Sequence, residues 1–378
     1  MELEAYRAGT IEQRYEYRAF LPEPIHHAWI VSDAKVLQLL SQADRALGEL
    51  NAFAQLVPDI EFFIAMYVAK EATQSSRIEG TQTSIEDAFK QAEDLDPEDR
   101  DDWSEVQNYI AAINHAIGRL NQLPFSNRLL CETHEILLRG VRGKHKMPGE
   151  FRKSQNWIGV SLKNAAFVPP HHEHVSDLMS DMERFLHDED IMTPPLIKIA
   201  IAHYQFETIH PFLDGNGRLG RLMISLYLAS EGLLSKPALY LSDYFERNKT
   251  AYVDHLMAVR HGNHMRDWLT FFLYGVEETA RASAEVFRAI LRLKERIERE
   301  VLPRFSTRRQ DNAHVLMRRL YSRPVIDIKT VAITINSTPN TATALVNDLV
   351  EYGVLTEITG GRRNRLFMFS DYVALFRG

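Results

Sequence analysis

Residues 194–208, PPLIKIAIAHYQFET, form a run so apolar that a helix built from it has no face to give to water. A second helical pattern follows at about 217–232, with Leu219, Leu222, Met223, Leu226 and Tyr227 at i, i+3, i+4 and i+7 spacing. Between them lies His210-Pro211-Phe212-Leu213-Asp214-Gly215-Asn216-Gly217-Arg218-Leu219-Gly220-Arg221. Two buried helices joined by so short a link pin that loop to the centre of a helical core.

The loop is dense in chemistry. Gly215 and Gly217 lack a Cβ, so both can take φ > 0 and turn backbone N–H groups toward an anion. Those amides open a helix N-terminus, where partial positive charge favours phosphate. Arg218 and Arg221, three apart, lean the same way with charges they cannot lose. Asp214 can hold a Mg²⁺ that also bridges phosphate oxygens. His210 is the residue best able to take a proton near neutral pH. Singly, each part has a plainer reading: a turn, a structural histidine, a solvated arginine pair. Their coincidence in one loop favours a site.

The stretch resembles the core motif of the Fic family, HxFx(D/E)GNGRxxR, at every defining position. The resemblance implies transfer of AMP from ATP to a Ser, Thr or Tyr hydroxyl of a protein, itself included, with release of pyrophosphate. It implies His210 as the base, Phe212 as a core anchor and Asp214 as the Mg²⁺ ligand. Gly215, Asn216, Gly217, Arg218, Leu219, Gly220 and Arg221 would bind ATP, with Asn216 near the α-phosphate and the arginines on the β- and γ-phosphates. Phosphotransfer of the Doc type is disfavoured, because those relatives lose the second glycine that Gly217 keeps here.

Upstream, Ser75-Ser76-Arg77-Ile78-Glu79-Gly80 ends a predicted helix over 58–79, with Gly80 as its C′ residue. Ser75 and Glu79 share a face. Alone this is a helix end. Beside the first motif it resembles the family's inhibitory helix, (S/T)xxxE(G/N), which implies that Glu79 pairs with Arg221 and keeps it from the γ-phosphate. Some glutamate-bearing members remove AMP with the same residue, so removal stays open as an alternative. Residues 148–170 resemble the family's GxFR run and target-docking flap. Asn156–Val160 and Ala165–Val168 read as a hairpin, with Ala166, Phe167 and Val168 beside the incoming segment. Tyr252 and Leu256 fit two readings equally, a border for adenine or plain core.

The last segment differs in character. Residues 301–378 carry net charge +5 in a chain of net −7. Helices over Ala313–Tyr321, Asp327–Ile335 and from Pro339 to Tyr352 precede two short strands, Leu355–Ile358 and Arg365–Phe369, around Gly360-Gly361-Arg362-Arg363. The order resembles the winged helix of longer Fic proteins. A basic wing points to DNA, but the helix TPNTATALVNDLVEYG has no Lys or Arg, so docking of a protein or a second copy is favoured. A DNA-binding regulator with a nucleotide-sensing core is the second reading of function.

The expected class is mainly α. Residues 1–110 are an arm and helical region containing the inhibitory helix (58–80), 111–275 the catalytic core with its flap, 276–305 a linker helix and 306–378 the winged helix. Further helices are expected at about 34–56, 84–92, 102–121, 126–139, 172–187, 242–260 and 264–300, with 1–35 irregular and Asp94–Asp102 a solvated loop. One cysteine, Cys131, rules out a disulfide framework. No signal-like or membrane-spanning apolar run is present. A cytoplasmic protein that does not enter a membrane is therefore expected, and a homodimer is compatible with the sequence.

Overall fold

The computed structural model describes residues 1–57, 60–140, 145–361 and 364–377. Fourteen α-helices occur among them. They are α1 (Ala34–Leu56), α2 (Glu61–Ile78), α3 (Arg100–Arg119), α4 (Asn127–Leu137), α5 (Val175–His187), α6 (Pro195–Ile209) and α7 (Asn216–Ser230). Then come α8 (Ser242–Arg247), α9 (Lys249–Gly262), α10 (Met265–Arg296), α11 (Thr307–Ser322), α12 (Ile328–Thr334), α13 (Pro339–Glu351) and α14 (Ser370–Ala374). Three small sheets pair β1 (Gly9–Gln13) with β2 (Arg18–Pro22), β3 (Ile158–Gly159) with β4 (Ala165–Phe167), and β5 (Val325–Asp327) with β7 (Leu366–Met368), which also pairs with β6 (Thr356–Glu357). All pairings are antiparallel. The fold is mainly α, as the sequence implies.

α6 is the central rod. Every residue from Leu196 to Ile209 is buried, which is what its unbroken apolar run demands. α7 packs beside it, α5 covers another flank, and Trp268 of α10 donates to the Ala200 carbonyl at 2.8 Å. The long α1 and α10 lie against each other. No helix among the described residues is long and apolar enough to cross a membrane.

Several expectations need correction. Residues 84–92 form 3₁₀ turns, not a helix, at Asp87–Phe89 and Ala92–Asp94. Ser84 Oγ accepts from the Asp87 N–H and bonds its carboxylate, local bonds that compete with a helical ladder. The 242–260 helix breaks at Asn248 (φ −115°, ψ 30°), whose side chain donates to the Tyr244 carbonyl at 2.9 Å. Residues 1–35 hold a hairpin, β1–β2, missed because its turn, RYEY, lacks the usual glycine. The acidic stretch is not all loop: α3 begins at Arg100, and Asp101 lines the cleft described below. Pro58, the expected start of the inhibitory helix, and the wing residues Arg362 and Arg363 lie outside the described residues.

The C-terminal segment places α11, α12, α13 and the three-stranded sheet together. It seats on the outer face of α2. Tyr321 and Tyr372 pack on Phe63 at 5.1 and 6.3 Å, and Phe376 meets Tyr67 at 5.2 Å.

Candidate active site

The α6–α7 loop is held by buried groups at each bend. His210 caps α6 in the left-handed region (φ 50°, ψ 61°). That strained conformation persists because its surroundings fix it. Arg152, 2% exposed, donates to the carbonyls of Ile209, His210, Ser154 and Pro170 at 2.5–3.2 Å. Asn156 donates to the carbonyls of His210 and Phe212. Phe212 is fully buried and stacks on His134 at 3.8 Å. His134 in turn donates from Nε2 to the Asp214 carbonyl and accepts from the Gly149 N–H at Nδ1. Burial holds its pKa down at about 4, keeping the ring neutral for both bonds.

Asn216 accepts from the Phe212 N–H through Oδ1 and donates to its carbonyl through Nδ2, both at 2.8 Å. Its amide closes the loop on itself. Gly215 takes φ +74°, but Gly217 is helical, contrary to the expected φ > 0. The demand at Gly217 is steric: a Cβ there would come within 2.4 Å of Glu79 Oε1 and 2.9 Å of Arg221 Nη1. Leu219 is fully buried, and Gly220 faces Phe206 and Glu207 of α6. Helical periodicity turns both inward, away from the cleft.

That cleft, about 670 Å³, is lined by Glu79, His210, Asp214, Gly215, Asn216, Gly217, Arg218, Arg221, Ala166, Phe167, Tyr252 and Leu256, among others. Burial, helped by Arg260 and Arg152, lowers the His210 pKa to about 4, so its imidazole is neutral at pH 7. Arg221 is 2% exposed at its side chain. Its Nε donates to Ser75 Oγ at 2.8 Å, and Nη2 donates to the Ser75 carbonyl at 2.9 Å and to Glu79 Oε1 at 2.7 Å. Burial pushes the Glu79 carboxyl up, but Arg221, with smaller pulls from Arg218 and His210, holds it below its usual value. Arg218 pairs with Glu105 of α3 at 3.2 Å and approaches Asp214 at 3.9 Å. The Asp214 carboxylate accepts from the Gly215 N–H and is 41% exposed at its side chain.

The flap is a true β pair, with Ile158 opposite Phe167. Phe167 is buried under the Arg260 guanidinium at 3.9 Å, and the Val168 carbonyl is taken by the Phe20 N–H of β2 at 2.9 Å. Tyr252 both lines the cleft and belongs to the core: its hydroxyl meets His203 Nε2 at 2.9 Å and its ring stacks on Phe245 at 4.4 Å. Arg152 and Asn156 as braces, and Glu105 and Glu207 in the cleft, were not found from the sequence as site residues. Glu207, at i−3 from His210, carried a usable signal, a lone carboxylate in an otherwise apolar helix. Among the described residues no cluster of three or more His, Cys, Asp or Glu could cage a metal.

Comparison with known proteins gives a consistent picture. Residues 37–118 match the Fic/DOC family N-terminal model and residues 124–228 the Fic/DOC family model. Protein adenylyltransferase fic-1 of Caenorhabditis briggsae is 34% identical over 131 residues, which are 32% of this chain and 25% of that protein. Protein adenylyltransferase Fic of Drosophila erecta is 32% identical over 129 residues, with the same coverage. The chain thus spans about a quarter of the length of these curated relatives. A crystal structure of a Fic family protein from Desulfovibrio desulfuricans G20 is similar in fold, with TM-score 0.56 at 18% identity, covering 92% of this chain and 98% of that one. A Fic domain containing signaling protein from Bacteroides thetaiotaomicron gives TM-score 0.52 at 16% identity, over 67% and 95%.

Proposed function

We propose, from the premise that over residues 37–118 and 124–228 this chain is a Fic/DOC family protein, that it is an auto-inhibited protein adenylyltransferase. The observation that carries this reading is the state of Arg221: a cleft-lining guanidinium bound three times by the Ser75–Glu79 turn of α2. The names of the relatives support the activity.

In this reading ATP is the nucleotide donor. The α7 N-terminal amides, Arg218 and, once released, Arg221 hold its phosphates. The flap holds a Ser, Thr or Tyr hydroxyl of the target protein, or of the chain itself, beside the α-phosphate. The neutral imidazole of His210 accepts the hydroxyl proton as the oxygen forms its bond to the α-phosphorus. The bond from that phosphorus to the β-phosphate bridging oxygen breaks, and pyrophosphate leaves. Asn216, expected near the α-phosphate, acts here by shaping the loop through both ends of its amide. Asp214 suits Mg²⁺, which keeps waters and needs only one or two carboxylates besides substrate phosphates. Its open carboxylate would hold the ion, which neutralises phosphate charge when bound. While Glu79 occupies Arg221, the γ-phosphate has no partner there and transfer is held off.

We read residues 306–378 as a winged helix that docks protein, since the described part of α13 has no cation, and place the protein in the cytoplasm, where ATP is plentiful. The test is isotopic. The Glu79→Gly chain is incubated with ATP labelled at the α- or the γ-phosphate. Covalent label from the α position alone, with a mass gain of one AMP, is expected. Label from the γ position, or none, refutes the reading.

A further inference from the structure

Glu207 lies on the last turn of α6, three residues before His210, and both line the cleft. It is 6% exposed, and its Oε1 has no hydrogen-bond partner among the described residues. A buried polar atom without a partner is rare in a folded chain and calls for an explanation. The space around it is built rather than accidental. Gly220 faces it across α7, where a Cβ would come within 2.4 Å of Oε1. The charged and titratable groups around it are Arg221 of α7, Glu79 of α2, and Arg260 and Tyr252 of α9. Burial raises its carboxyl to about 7, against the pull of Arg221.

A carboxyl in this place repels phosphate and accepts hydrogen bonds from donors. The lining of the cleft includes the amides and arginines of α7 as well as Tyr252, Leu256 and Met257 of α9. Glu207 abuts Gly220, the residue before Arg221, and His203, one turn back on α6, meets the Tyr252 hydroxyl at 2.9 Å, so the carboxyl lies near both. In a nucleotide, the part between phosphates and base is the sugar, and its donors are the 2′ and 3′ hydroxyls. Carboxylates that read a ribose diol are an established solution in other nucleotide sites.

We propose that Glu207 is a specificity-determining residue that accepts hydrogen bonds from the ribose hydroxyls of the bound nucleotide. This rests on the nucleotide-transfer reading above. It also accounts for Gly220, whose missing Cβ leaves room for the Glu207 carboxyl rather than contacting ATP.

The test uses the full chain carrying Glu79→Gly, with ATP, 2′-deoxy-ATP and 3′-deoxy-ATP as donors, and compares it with the same chain carrying Glu207→Ala or Glu207→Gln. At pH 8, where the Glu207 carboxyl is mostly ionised, loss of a hydroxyl that meets it is expected to cost the Glu79→Gly chain roughly tenfold or more in kcat/KM, chiefly through KM. With Glu207→Ala that cost shrinks to under about threefold, because the acceptor is gone. Glu207→Gln is isosteric and keeps a neutral acceptor, so the cost falls to about threefold even if the alanine variant does not fold. A hydroxyl penalty unchanged by Glu207→Gln, or an equal loss for all three nucleotides, overturns the proposal. Calorimetric titration separates the two levels. Equal Kd for ATP and its deoxy analogues overturns this proposal alone, whereas no ATP binding at all overturns the nucleotide reading with it.

Discussion

Under the proposed function Ser75→Ala should raise AMP transfer, and the size of the effect can be worked from the clamp. Ser75 is fully buried, and its Oγ accepts from Arg221 Nε at 2.8 Å. The alanine leaves one N–H of a nearly buried guanidinium unpaired, but only while Arg221 stays against α2. A hydrogen bond to a charged group is worth about 1.5–3 kcal/mol. What counts is the difference between the clamped state and the state with Arg221 turned to phosphate. The shift toward the free arginine is therefore roughly tenfold or more, since about 1.4 kcal/mol is a factor of ten. Glu79→Gly should exceed it, because that change also removes the charge that competes with phosphate for Arg221. The two effects should not add, as both act on one guanidinium. Initial rates of α-label transfer at subsaturating ATP measure this, with circular dichroism to check folding. A Ser75→Ala chain that melts like the parent but labels no faster, or more slowly, would refute the clamp. It would mean that Ser75 supports Arg221 equally in both states.

His210→Ala should abolish transfer while leaving ATP affinity within about threefold, read by calorimetry; lost binding would make His210 structural. Because the His210 pKa is lowered to about 4, its basic form is full at neutral pH. Activity should therefore not fall between pH 8 and 6 through this group and should decline only as pH approaches 4; a limb near pH 6.5 that persists in a Glu207→Gln chain, where the carboxyl that titrates at about 7 is gone, would contradict the buried geometry. Arg152→Met removes a donor from four carbonyls, of which His210's keeps its bond from Asn156, and should cost about 3 kcal/mol or more, seen as a fall of several degrees in melting temperature. An unchanged melting temperature would show that the loop does not depend on it. Tyr372→Ala, far from the cleft but against Phe63 of α2, should raise basal labelling by loosening that helix. Labelling at the parental level, in a chain shown to be less stable, would separate α2 from the C-terminal segment.

What could be read from the sequence was what short range determines. The 210–221 loop, the Ser75–Glu79 turn and the flap hairpin are local patterns, and their elements appear close to the expected bounds. Glu79 meeting Arg221 across 142 residues of chain could not come from spacing; it came from a family resemblance, and the geometry agrees. Arg152 was invisible as a brace because its value lies in carbonyls supplied by residues far along the chain. Leu219 and Gly220 sit inside the motif that the resemblance gives to ATP, yet a helix shows a ligand only some of its residues, and neither lines the cleft. The break at Asn248 and the 3₁₀ turns at 87–94 come from side chains bonding nearby backbone, which apolar periodicity does not register.

Under the proposed function, the pairing of the two arginines explains why an intact loop is not by itself an active one. Arg221 is neutralised by Glu79, which caps α2, and Arg218 by Glu105 of α3, so both arginines of α7 are answered by carboxylates from the N-terminal region. The guanidiniums themselves are nearly buried, which strengthens such pairs, and in the proposed function an incoming triphosphate must displace them rather than fill a vacancy. Arg218 is the less committed of the two. Among the described residues Glu105 holds it by one hydrogen bond at 3.2 Å, with Asp214 at 3.9 Å, whereas three bonds fix Arg221. A nucleotide can therefore take Arg218 first and still find Arg221 closed. Nucleotide binding and transfer competence then become separable, and the second depends on a helix whose outer face carries the C-terminal segment.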